Sequence, residues 1–117
     1  MPRQGTPDEF VSLLQETIVA LVRRDGPDLT ARQLAVFLRV YVYAEPPTGR
    51  DLALALNIHK SAISRVLDRL IEADLVCRKP NPQDQRSILV GRTARGEALI
   101  REIRTIMQEA RTATKPA

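Results

Sequence analysis

The segment Lys60-Ser61-Ala62-Ile63-Ser64-Arg65 brings two cations, two hydroxyls and a methyl side chain within two helical turns. On a helix, Lys60, Ser61, Ser64, Arg65 and Arg69 share the face opposite Ile63, Val66, Leu67 and Leu70. These groups suit contact with nucleic acid: cations and hydroxyls meet phosphates and base edges, and small side chains such as Ala62 permit close approach. Arg65 is the best candidate for a bidentate guanine contact. Lys60 and Ser61 fall near a helix N-terminus, where the dipole also favours a phosphate. Taken alone, the segment is equally an ordinary surface helix with a solvated polar face.

A second constellation is Asp84-Gln85-Arg86-Ser87, between two β-prone runs. Residues two apart on an extended segment share a side, so Asp84 is expected to hold Arg86 in one orientation. An oriented Arg on a flexible tip suits the narrow, strongly negative minor groove of a duplex. The competing reading is a surface ion pair, worth little.

Other chemistries find less support. Cys77 is the one cysteine, which excludes an internal disulfide and agrees with a reducing compartment. On a β-prone run it reads as a small, partly buried residue rather than a redox sensor. His59, the one histidine, opens the Lys60 helix and can cap it or touch a phosphate; it lacks partners for a metal site. Tyr41 and Tyr43 read as core, and four aromatics in 117 residues make no single-strand-binding signature. No Gly-rich phosphate loop, metal-spaced cluster or Ser/His/Asp arrangement appears, so the expectation is a protein that is not an enzyme and carries no cofactor or metal.

At 117 residues and 44% hydrophobic, the chain fits one globular domain, with a core that an oligomer would supplement. The net charge of +4 is concentrated. Between Lys60 and Arg92, the cations Lys60, Arg65, Arg69, Arg78, Lys79, Arg86 and Arg92 face only Asp68, Glu72, Asp74 and Asp84. That excess favours a polyanionic partner. No run approaches the ~18 apolar residues of a membrane helix. Met1-Pro2-Arg3-Gln4-Gly5 leads into no apolar signal core, so a cytoplasmic, nucleoid-associated protein without membrane contact is expected.

The elements that must position these residues follow from periodicity and punctuation. Thr6 or Asp8 caps a first helix, to about Arg24, whose stripe is Phe10, Leu13, Leu14, Thr17, Ile18, Leu21 and Val22. Thr30-Ala31-Arg32-Gln33 is a capping box opening a second, from Leu34 to about Ala44, apolar nearly all round and so expected to be buried. Pro46-Pro47 stops it, and Thr48 caps a short third helix, Asp51 to Leu56. Asn57 suits a left-handed turn into a fourth helix, Lys60 to Ala73. Val76–Lys79 and Ser87–Val90 then flank turn residues as a hairpin, and Thr93 caps a last helix bearing Leu99, Ile103, Ile106 and Met107. The tail from Ala113 to Ala117 is expected to fray. The fold class is mainly α with a small β-hairpin wing: a winged helix-turn-helix flanked by N- and C-terminal helices.

Leu52-Ala53, Leu56, Ile58, Lys60-Ser61, Ser64 through Leu70, Leu75-Val76, Asp84-Gln85-Arg86-Ser87 and Thr93-Ala94-Arg95-Gly96 occur in one order. That order resembles the multiple-antibiotic-resistance regulator (MarR) family from about Leu29 to Ile100. The Asp-x-Arg-Ser wing is characteristic of that family. The resemblance implies a homodimeric repressor reading a pseudo-palindromic site in double-stranded DNA. It assigns major-groove contacts to Lys60, Ser61, Ser64 and Arg65 and the minor-groove contact to Arg86; Thr48, Ala62, Arg69, Arg78 and Lys79 complete the candidate DNA-facing set. It also implies dimerisation helices at about 8–24 and 93–112 around a DNA-binding core at about 29–92, with Phe10, Leu14, Ile18, Leu99, Ile103, Ile106 and Met107 at the dimer interface.

The chain departs from the family pattern at Asn57, where Gly is common, and at Arg92, where an apolar residue is usual. It also has no clear second helix after the one beginning near Thr93. The family's effector pockets lie between the dimerisation helices and the DNA-binding lobe. The resemblance therefore allows a small-molecule effector, and the short C-terminal region argues against one. The alternative function is a winged helix that binds protein without sequence-specific DNA binding. It requires an exposed apolar patch on the third or fourth helix, for which Leu54 is the candidate. An enzyme with a Cys77 nucleophile is a third, weaker reading.

Overall fold

Threonine capping boxes open three of the helices in the computed structural model, which describes residues 5–113. The elements are α1 (Pro7–Arg23), α2 (Ala31–Val42), α3 (Gly49–Leu56), α4 (Lys60–Glu72), β1 (Val76–Pro80), β2 (Ile88–Arg92) and α5 (Ala94–Ala113). The residues at 1–4 and the tail beyond Ala113, expected to fray, lie outside the described residues. The chain divides into two compact units, Leu29–Ile100 and the paired segments Met1–Asp28 with Arg101–Ala117.

In the Leu29–Ile100 unit, Thr30 and Gln33 cap each other reciprocally at the start of α2, as do Thr48 and Asp51 at α3. That box starts α3 at Gly49, two residues before the expected Asp51. The alternating Leu52, Leu54 and Leu56 settle as helix, with Leu52 buried and Leu54 72% exposed. Val36, Phe37, Val40 and Tyr41 on α2, Leu52 on α3 and Ile63, Val66, Leu67 and Leu70 on α4 form the core. Each such large side chain contributes about 1.5–3 kcal/mol by leaving water. α2 is not buried all round: Val42 and Tyr43 are exposed, because the helix ends there and the chain turns away. Tyr43 is thus a surface residue, with the Arg39 guanidinium 4.5 Å above its ring.

Asn57 ends α3 in the left-handed conformation (φ 53°, ψ 47°), its N–H donating to the Ala53 and Leu54 carbonyls. Asp74 takes a second left-handed position (φ 59°) between α4 and β1. β1 and β2 pair antiparallel from Val76 opposite Arg92 to Pro80 opposite Ile88. β2 therefore begins one residue later than expected and runs on through Gly91 and Arg92. Val90 donates to the Pro47 carbonyl at 2.8 Å and Leu89 bridges Thr48, which ties the hairpin to the start of α3.

One buried phenol holds both feet of the hairpin. Tyr41 Oη donates to the Leu75 carbonyl at 2.7 Å and accepts from the Thr93 N–H at 2.9 Å. Thr93 Oγ1 accepts from the Gly96 N–H, capping α5, and donates to the Asp74 carbonyl at 2.6 Å. A Cβ at Gly96 would collide with the Tyr41 hydroxyl and the Leu75 carbonyl, so only glycine fits there. These contacts keep the first turns of α5 in this unit, which runs to Ile100.

In the other unit, Thr6, not Asp8, caps α1, in a reciprocal box with Glu9. Arg24 pairs with Glu102 at 3.1 Å. Thr17 is buried, its hydroxyl donating to the Leu13 carbonyl. Phe10, Val11, Leu14, Ile18 and Val22 remain exposed along α1.

Tyr41→Phe leaves the Leu75 carbonyl and the Thr93 amide without their partner, and is expected to cost about 1–3 kcal/mol in urea unfolding. Tyr43→Phe, at an exposed ring, should stay within about 0.5 kcal/mol of the parent.

Candidate nucleic-acid interface

α3, the Asn57 turn and α4 form a helix-turn-helix, and the N-terminal half of α4 is its exposed end. Ile63, Val66, Leu67 and Leu70 are buried, which turns Lys60, Ser61, Ser64, Arg65 and Arg69 to solvent, with Ala62 half-buried among them. His59 is the N-cap of α4: its Nδ1 accepts the Ser61 N–H at 3.2 Å.

The cations of this surface divide by what they already hold. Arg69 pairs with Glu72 at 3.0 Å, and Arg78 on β1 pairs with Asp68 on α4 at 2.6 Å. The second pair spans helix and strand and fixes β1 against α4. Both pairs are about half exposed or more, so their net stabilisation is small and their geometric effect matters more. Lys60, Arg65, Lys79 and Arg86 make no ion pair among the described residues and are exposed. Thr48 is half-buried, its oxygen accepting from the Asp51 N–H as the α3 cap, which leaves its hydroxyl hydrogen free to donate.

The wing tip corrects one expectation. Residues 81–86 form successive turns rather than an extended segment, so Asp84 and Arg86 do not share a side. Asp84 Oδ1 accepts the Arg86 backbone N–H at 3.0 Å, and Asn81 Oδ1 accepts that of Gln83 at 3.0 Å. Asp84 thus sets the backbone on which Arg86 stands and leaves the guanidinium unheld.

Arg92, which departs from the family pattern, closes the C-terminus of α2. Its Nε and Nη2 donate to the Val40 and Tyr43 carbonyls at 3.1 and 2.7 Å, its guanidinium lies 5.5 Å from the Tyr41 ring centre, and Glu97 is 3.8 Å away. A cation at a helix C-terminus satisfies carbonyls that would otherwise lack donors. Neither this clasp nor the Asp68–Arg78 pair has a local sequence signal, because each joins residues ten or more apart on different elements.

Of the residues expected at a dimer interface, Leu99 and Ile103 are buried within the single chain, at 6% and 5% exposure, and so offer no free surface. Phe10, Leu14, Ile18 and Met107 are exposed and Ile106 is half-buried. Among the described residues no helix is long and apolar enough to cross a membrane.

The MarR family model matches residues 29–88, half of the chain and all of the helix-turn-helix. The chain belongs to the MarR family. It is 34% identical over 101 residues to the HTH-type transcriptional regulator YdgG of Bacillus subtilis, covering 80% of this chain and 65% of that protein. It is 38% identical over 72 residues to the multiple antibiotic resistance protein MarR of Escherichia coli, covering 62% of this chain and 49% of that one. The chain therefore spans about half to two thirds of the length of these curated relatives. The name of the first describes an HTH-type transcriptional regulator. Among solved structures, a mutant of E. coli MarR complexed with operator DNA superposes with a TM-score of 0.67 at 27% identity, over 92% of this chain and 71% of that one. The S. aureus MepR–DNA complex, at 23% identity and a TM-score of 0.69 over 87% and 78%, shares the fold. The MarR-family winged helix thus accounts for the placement of α3, α4 and the hairpin.

Because Asp84 acts through one carbonyl-type oxygen, Asp84→Asn should retain the wing turn and Asp84→Ala should lose it. The expected difference is about 1 kcal/mol in stability, with faster amide exchange at Arg86 in the Ala variant only. Equal exchange in the two variants would remove the assigned role.

Proposed function

We propose that the chain is a transcriptional repressor that binds double-stranded DNA as a homodimer, with α4 in the major groove and Arg86 of the wing in the minor groove. The observation that carries this is the exposed set Lys60, Ser61, Ser64 and Arg65 at the N-terminal end of α4, its two cations in no ion pair among the described residues, held on a helix whose other face is core. A recognition helix enters the groove by that end, and phosphate contacts from Lys60, Lys79 and Arg86 would set its register. Family membership supports the reading, as does the operator-bound structure of E. coli MarR. Dimerisation is supported by the exposed stripe Phe10, Leu14, Ile18 and Val22 on α1, with Met107 on α5, since an amphipathic helix with a bare apolar face needs a partner. Two recognition helices then meet half-sites about 34–36 Å apart, a helical turn of DNA. Such a protein works in the cytoplasm on the nucleoid.

A second reading, a winged helix that binds protein, is favoured by one observation. Leu54 is 72% exposed and borders an open groove of about 510 Å³ lined by Arg39, Tyr43, Glu45, Pro46, Pro47, Asp51 and Ala55.

Binding to the DNA upstream of the chain's own gene, against a random duplex at two salt concentrations, separates the two. A preference for the upstream fragment with steep salt dependence is expected, and absence of binding at low salt favours the protein-binding reading. Arg65→Ala should cost about 1–3 kcal/mol per half-site and relax base preference; unchanged affinity and sequence choice would place recognition elsewhere. Leu14→Glu with Ile18→Glu should yield monomers by light scattering while leaving the Leu29–Ile100 unit folded. A dimer that persists would sink the α1 interface.

A further inference from the structure

The exposed face of α4 carries a carboxylate in its middle, where a surface for DNA has no use for one. Ile63, Val66, Leu67 and Leu70 define the buried side, and Asp68 falls nearly opposite them with its side chain 53% exposed. It lies four residues from Ser64 and three from Arg65. Side chains at those spacings are neighbours, about 5–6 Å apart at Cβ, and an Arg and an Asp three apart can pair. Among the residues three or four positions from Arg65, which are Ser61, Ala62, Asp68 and Arg69, Asp68 is the one acid. Pairing with it would occupy the guanidinium that a base contact needs.

That pair is not formed. Asp68 Oδ1 accepts from Arg78 Nη2 at 2.6 Å, and Arg65 is in no ion pair among the described residues. The register of the hairpin supplies the competing cation. Val76 of β1 is buried, and Arg78, two residues on, lies on the same side of the strand, which packs against α4. Arg69, the α4 cation next to Asp68 in sequence, is held by Glu72.

We propose that Arg78 is a positioning residue for Arg65: by holding the Asp68 carboxylate, it keeps the Arg65 guanidinium unpaired and available to a base edge. It acts through Asp68 rather than by touching DNA. With Arg78 removed, Asp68 is left without its partner, and the cation one turn away is Arg65. An Arg65–Asp68 pair then competes with the bidentate contact to guanine. Phosphate contacts from Lys60, Lys79 and Arg86 are untouched, so the loss falls on the choice of sequence more than on binding to any duplex. This inference rests on the reading of α4 as the recognition helix.

The test compares the full chain with Arg78→Ala and with the double variant Asp68→Ala, Arg78→Ala, at low constant salt, where exposed pairs are least screened. The double variant has the net charge of the parent, and its hairpin keeps the Tyr41 and Pro47 attachments. One readout, without DNA, is hydrogen exchange at Arg65 Nε by NMR. The other is the affinity ratio between the upstream fragment and a random duplex. In Arg78→Ala, Arg65 Nε exchange should slow and the ratio should fall about two- to fivefold for a dimer, the worth of one such helical ion pair in each half. In the double variant both should return to the parent values. Arg65 Nε exchange that does not slow in Arg78→Ala, or a ratio that does not fall, overturns the role of Arg78. A ratio that stays low in the double variant also overturns it, because Arg78 would then act on DNA or on the strand directly. If exchange slows as expected but the parent has no preference for the upstream fragment, the recognition-helix reading fails, and this role with it, although the Arg65–Asp68 pair is real.

Discussion

The Tyr41 hydroxyl is the point on which the Leu29–Ile100 unit is assembled. It sits on α2, the most buried helix, and bonds to the last carbonyl before β1 and the first amide after β2. A two-stranded hairpin alone is marginal in water, so its placement must come from outside its own ladder. Here it comes from three sources: the phenol at the feet, the Pro47 and Thr48 backbone at mid-strand, and the Arg78–Asp68 pair on the α4 side. Gly96 completes the junction because the phenol and the Leu75 carbonyl occupy the space of a side chain. Remove the phenol, and α4 and the two strands of the hairpin lose their common reference.

Charge in this lobe does two jobs, and the pairing pattern separates them. Arg69, Arg78 and Arg92 each have a carboxylate or carbonyl partner and serve geometry. Lys60, Arg65, Lys79 and Arg86 have none among the described residues and retain their full field toward solvent. A ligand that brings phosphates meets the second group without first breaking an ion pair, which favours fast, salt-sensitive association. Pairing leaves the net charge unchanged but concentrates the unpaired positive charge on these four side chains.

How far the sequence spoke depends on the range of the interaction. Local features were legible: the threonine caps, the left-handed Asn57, the two-faced α4, and the two β-prone runs. Their causes lie within four residues of one another, and the family motifs repeat that information. What failed was of longer range or depended on an irregular backbone. Tyr43 passed as core because its composition matches Tyr41, yet α2 ends between them. Asp84 and Arg86 were set on one side by strand geometry that the turns at 81–86 do not follow. Arg92 looked like a misfit because its partners, the Val40 and Tyr43 carbonyls, are about fifty residues away. Leu99 and Ile103 carry the same apolar signature whether they face their own chain or another.

That last ambiguity bears on the proposed dimer. With Leu99 and Ile103 already buried, a second copy would have to gain from Phe10, Val11, Leu14, Ile18, Val22 and Met107. Covering side chains of this size returns up to about 1.5–3 kcal/mol each, and a symmetric interface counts every one twice. Association costs about 4–15 kcal/mol in lost freedom, so a stripe of this extent suffices only if most of it is covered at once. A single α4 presents few base contacts, and each good pair discriminates by only about 1–3 kcal/mol. Selecting one site among the ~10⁶ or more that a genome offers therefore requires two recognition helices acting together. On this reasoning the proposed dimer through α1 and the proposed DNA contact through α4 would be parts of one function, since the first supplies the second recognition helix that the other requires.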